Sequence, residues 1–98
     1  MGLEIVKRVY VDVDVTFNSE GGMVPRVITW EDGRKYRIDR VLDRRVAAAR
    51  RSGGYGDRYT ILIGRHKRYL FFEHSPEAAD INVGRWFLES RATIPSPA

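Results

Sequence analysis

Arginine, glycine and tyrosine crowd together in one stretch of this 98-residue chain: Arg44, Arg45, Arg50 and Arg51 lead into Ser52-Gly53-Gly54-Tyr55-Gly56-Asp57, and Arg58 follows. A guanidinium can grip two phosphate oxygens at once and stack on a base. A glycine lets the backbone approach a polyanion closely, and a tyrosine ring offers a stacking face. Those parts suit nucleic acid or a nucleotide phosphate. With Arg65, Lys67 and Arg68 a few residues on, the candidate polyanion-binding set is Arg44, Arg45, Arg50, Arg51, Tyr55, Arg58, Arg65, Lys67 and Arg68. The plainer reading of the same residues is a solvated basic face with a flexible connector.

The charge is divided unevenly. Met1 to Gly33 holds three basic residues against six acids, Arg34 to Arg68 holds twelve against three, and Tyr69 to Ala98 holds two against four. The net charge of +4 therefore conceals a middle segment that attracts anions at long range. Nucleic acid or an acidic protein is the expected partner. Pairing of this segment with the chain's own acids, within one molecule or between two copies, is the competing expectation, and it makes a homo-oligomer the alternative.

Catalytic and cofactor chemistry find little support. Gly53-Gly54-Tyr55-Gly56 lacks the Gly-Lys-Ser/Thr that would complete a phosphate-binding loop. Lys67-Arg68-Tyr69-Leu70-Phe71-Phe72 lacks the spacing of an RNA-recognition strand and is assigned to the core. His66 falls at a hairpin tip. His74 and Ser75, adjacent on one strand, point to opposite faces, which is wrong for a base that must reach its nucleophile. Asp12 and Asp14 share a strand face, with Glu73 or Glu89 as possible cross-strand neighbours; such carboxylates can hold a hard cation, but they also read as the wet side of an amphipathic strand. No catalytic residue, metal ligand or cofactor is expected. The absence of cysteine excludes disulfides and thiolate metal sites.

The elements that position these residues are mainly strands. Val9, Val11, Val13, Val15 and Phe17 alternate with Tyr10, Asp12, Asp14 and Thr16, the period of a half-buried strand. Pro25 to Glu31 is a second strand, and Asp32-Gly33 predicts a type I′ hairpin turn into a third that begins near Lys35. The apolar phase changes after Ile38. A bulge near Arg40 restores the register, or a short helix covers Asp43 to Arg51; both readings stand. Arg58 to Ile63 and Lys67 to Glu73 flank a tight turn at Gly64-Arg65-His66, and Arg85 to Arg91 is the last strand. Six strands with short connections predict an antiparallel meander closing into a small SH3-like or partly open barrel, the alternative being a curved sheet covered by one helix around 43–51. A single β domain over 1–91 and a flexible tail over 92–98 follow. Met1 to Lys7 lacks the features of a signal peptide and no long apolar run follows, so the chain is expected to be cytoplasmic with no membrane partner.

The run Ile28-Thr29-Trp30-Glu31-Asp32-Gly33-Arg34-Lys35-Tyr36-Arg37-Ile38-Asp39-Arg40-Val41-Leu42-Asp43, with Gly54-Tyr55-Gly56-Asp57-Arg58-Tyr59 and the closing Gly84-Arg85-Trp86-Phe87-Leu88-Glu89, resembles a family of short uncharacterised bacterial proteins. Their shared features are a Trp-x-x-Gly-x-x-Tyr hairpin followed by Val-Leu-Asp and a C-terminal Arg-Trp-Phe strand. The resemblance implies a β fold and carries over no activity, cofactor or catalytic residue. Taken together, the residues point to a small non-enzymatic binding module for nucleic acid or another polyanion, or else to a structural or protein-interaction module with no nucleic-acid role.

Overall fold

A computed structural model describes residues 2–48, 55–74 and 83–95, with side chains placed for 6–46, 56–74 and 83–90. Seven strands follow one another: β1 (Gly2–Phe17), β2 (Met23–Thr29), β3 (Lys35–Arg37), β4 (Arg40–Ala48), β5 (Tyr55–Ile63), β6 (His66–His74) and β7 (Gly84–Pro95). They form one antiparallel sheet in the order β3-β2-β1-β7-β6-β5-β4. Every consecutive pair is adjacent in the sheet except β3 and β4, which are its two edges.

That exception curls the sheet. Laid flat, seven strands would hold their edges about 29 Å apart at the usual strand spacing. The chain from Arg37 to Arg40 spans at most about 11 Å. The sheet must therefore roll until its edges meet at this corner, and the hydrogen bonds record the closure: Ile38 N–H donates to Arg26 O on β2 (2.8 Å), and the next amide, Asp39 N–H, donates to Leu62 O on β5 (2.8 Å). Away from the corner β3 and β4 do not pair, so the result is a half-barrel.

Rolling gives the sheet an inner and an outer face. The inner face collects Val9 and Val11 of β1, Ile28 of β2, Tyr59 and Ile61 of β5, Leu70 and Phe72 of β6 and Trp86 of β7, joined by Ile38 from the corner. Each large side chain buried in this way stabilises the fold by about 1.5–3 kcal/mol. Tyr59, Phe72 and Trp86 pack as tilted rings, with centroids 5.2 and 4.9 Å from Trp86. Backbone also comes close here. A side chain at Gly84, whose φ is 155°, would collide with the Glu73 carbonyl and the Phe72 ring.

Several expectations change. The strands number seven rather than six, because the phase change after Ile38 is a corner and not a bulge within one strand; a bulge does occur, one step later, between Val41 and Asp43. Residues 43–48 belong to strand β4 rather than a helix: a helix so short would be marginal alone, while β5 supplies a backbone ladder. Residues 49–51 lie outside the described part. The Asp32-Gly33 turn is not type I′. Only Gly33 has positive φ (87°), and its N–H donates to Trp30 O (2.9 Å), which gives a type I turn followed by a glycine bulge. Finally β7 continues beyond residue 91, with Ala92 to Pro95 paired to Ile5 to Gly2, so most of the expected tail is strand. Among the described residues no helix is long and apolar enough to cross a membrane.

Candidate polyanion-binding surface

Alternation along each strand decides which basic side chains can meet. Cross-strand partners share a face, so Arg45 opposite Arg58, Arg58 opposite Phe71 and Leu62 opposite both Arg40 and Lys67 place Arg40, Arg45, Arg58 and Lys67 on the outer face of β4, β5 and β6. Arg65 sits exposed in the turn at the end of the same hairpin. Tyr69, also outward, remains 45% exposed. The Arg58 guanidinium lies 4.7 Å from the centre of its ring and the Lys67 ammonium 5.9 Å, so the phenol is bracketed by two cations. Arg45 pairs with Asp43 at 2.7 Å. Among the described residues Arg40, Arg58, Arg65 and Lys67 have no carboxylate partner within ion-pair distance, and Arg58 Nε is buried without a hydrogen-bond acceptor.

The neighbouring part of the outer face, on β1, β7 and β6, is built differently. Phe71 and Phe87, 3% and 1% exposed, stack with centroids 5.0 Å apart and near-parallel rings. They are covered by charge. Arg8 lies over Phe87 (4.6 Å) and Arg85 over Tyr10 (4.1 Å). Glu73 ties the cover together, accepting from Arg8 Nη1 at 3.1 Å, Arg85 Nη2 at 3.2 Å and Tyr10 Oη at 3.0 Å. Tyr10, by hydrogen bond and then by charge, and after it Glu73 hold the Arg8 guanidinium above its ordinary pKa against the opposing effect of burial. Glu73, considered from sequence as a cation ligand with Asp12 and Asp14, instead neutralises two arginines.

Two candidates from the sequence stand on the inner face of the sheet, where both remain exposed. Arg44 faces Tyr59 across the β4–β5 ladder and pairs at 3.4 Å with Asp57, a carboxylate only 6% exposed, whose Oδ2 also lies 3.1 Å from His74 Nε2. This group lines a cavity of about 310 Å³ with Phe17, Met23 and Phe72. Burial pushes the Tyr59 phenol above its usual pKa, with Arg44 opposing, and its hydroxyl donates to Met23 O at 3.3 Å. Arg68 donates to Lys67 O at 2.9 Å and lines a second cavity, of about 320 Å³, with Ile28, Trp30, Tyr36, Ile63 and Leu88.

The candidate set therefore splits. Arg45, Arg58, Arg65 and Lys67 come together on or beside the outer face of β4–β6, whereas Arg44 and Arg68 do not join them. Arg50, Arg51 and the side chain of Tyr55 lie outside the described residues. Arg40 and Tyr69 belong to the surface and were missed. Tyr69 was assigned to the core with its neighbours, although period two along β6, counted from the buried Leu70, puts it outward beside Lys67 and Phe71. No protein-family model, curated protein or solved structure matches this chain.

Proposed function

We propose that this chain is a non-enzymatic binding module that takes up single-stranded nucleic acid, or a polyanion of like spacing, across the outer face of β4, β5 and β6. The observation that carries this reading is Tyr69: an exposed ring bracketed by Arg58 and Lys67 on a face where Arg45 is paired with Asp43 but Arg40, and Arg65 beside it, have no carboxylate partner among the described residues. A base stacks on the tyrosine while guanidinium and ammonium groups meet the phosphates on either side, a contact that tolerates any sequence because every base has a π face. The antiparallel strands hold these side chains at fixed spacing, so little order has to be gained on binding.

Fluorescence anisotropy with a labelled single-stranded oligothymidine tests the reading. Binding at low salt is expected, stronger than to a duplex of equal length, with a log–log salt slope of about −2 to −3 for three or four phosphates. No binding at low ionic strength would overturn it.

A further inference from the structure

The two edges of the sheet are unlike. β3 is three residues long, and its Lys35 and Arg37 are exposed, the usual protection of an edge against pairing with another chain. β4 runs for nine residues, in regular register from Asp43 onward after the bulge between Val41 and Asp43, and, among the described residues, pairs only with β5. Among the described residues no strand lies on its other side, which leaves a row of backbone N–H and C=O groups there without a ladder partner. Two apolar side chains are left in the open along it, Leu42 at 46% and Val46 at 77% exposure.

From the order of residues in β4 we infer that this edge pairs antiparallel with β4 of a second copy, with Arg44 on the two-fold axis. Folding Leu42-Asp43-Arg44-Arg45-Val46 back on itself about Arg44 sets Asp43 opposite the partner's Arg45 and Leu42 opposite the partner's Val46, each pair occurring twice. Acid meets base and apolar meets apolar. Moving the axis to Asp43 sets Leu42 against arginine, and moving it to Arg45 sets Arg44 against Val46. An axis midway between two residues is excluded, because it would set an inward side chain opposite an outward one. The two Arg44 side chains that meet at the axis each carry their own counter-charge, since Asp57 of the same chain lies 3.4 Å from the guanidinium. The Asp43–Arg45 contact at 2.7 Å within one chain shows that these side chains already suit one another. A two-fold axis perpendicular to the sheet keeps outer face beside outer face, so Arg40, Arg45 and Arg58 of both copies lie on one side of a continuous sheet.

Sedimentation without nucleic acid and cysteine cross-linking together test the inference, and neither depends on the polyanion reading. The wild-type chain, 11.3 kDa, is expected to sediment at twice that mass at about 100 μM. It contains no cysteine, so Arg44→Cys adds one thiol per chain at the axis, where opposed Cα atoms about 4.5–5.5 Å apart suit a disulfide. Under mild oxidation R44C and the double variant L42C/V46C are expected to give covalent dimers. V46C alone, with its two thiols about 14 Å apart along the strands, is not. Val46→Lys, at an exposed position, should leave the fold intact and yield a monomer. A monomeric wild type overturns the inference. So does a dimer that neither R44C nor L42C/V46C traps, or one that V46C alone traps equally well.

Discussion

Around Tyr10, two arginines close on a carboxylate; around Tyr69, an arginine and a lysine close on the ring alone. Both clusters stand on the outer face of the sheet, and both stack cations on an exposed tyrosine. Glu73 separates them in kind. By binding Arg8, Arg85 and Tyr10 it turns the first cluster into a lid over Phe71 and Phe87, its charge satisfied internally. Among the described residues the second has no such acid. The same side-chain types thus form a closed lid where a carboxylate joins them and an open pair where, among the described residues, none does.

The largest effect should come from the floor of the lid. Phe87→Ala is expected to cost about 3–5 kcal/mol in urea unfolding, because the ring is fully buried and stacked on Phe71. A loss below about 1 kcal/mol would mean that the outer face has no core of its own. Next comes the open cluster. The double substitution Arg58→Ala with Lys67→Ala should weaken oligothymidine binding at least about tenfold while changing stability by less than about 1 kcal/mol, whereas Arg85→Ala should leave binding within about twofold.

Glu73→Gln sharpens the contrast from the other side. It should remove about 1–2 kcal/mol of stability, since two arginines lose a charged acceptor, and strengthen oligonucleotide binding about threefold by releasing them. Anisotropy and urea titrations on the same variant read both signs. The smallest effect lies on the inner face. Tyr59 is buried with its pKa raised above about 10, so folding favours the neutral phenol. The associated stability is complete below pH 10 and is lost as pH rises through the folded-state value. Tyr59→Phe should cost about 0.5–1 kcal/mol at pH 8, through the bond to Met23 O, and flatten the decline that sets in above pH 10.

Strand positions were largely legible in the sequence, because alternation such as Val9 to Phe17 has no other reading, and the three tight turns fall at glycine-bearing stretches. The corner at Ile38-Asp39 was not. A loss of apolar phase looks the same whether the chain bulges, turns to a helix or crosses to the far edge of a curled sheet, and only the pairing of successive amides with β2 and β5 distinguishes them. Sequence also showed that positive charge was concentrated but not where it pointed. Arg44 and Arg45 are neighbours on the chain, and period two sends one to Asp57 on the inner face and the other outward beside Arg58. Glu73 carries nothing in its local sequence to say that Arg8, 65 residues away, would be its partner.

Amide chemical-shift mapping tests the central contrast most directly. On titration of ¹⁵N-labelled protein with oligothymidine at low salt, the largest shifts should fall on Arg45, Arg58, Thr60, Lys67 and Tyr69, with Arg8, Tyr10 and Arg85 unmoved. Shifts centred on Arg8, Tyr10 and Arg85, or spread evenly over both clusters, would contradict the account.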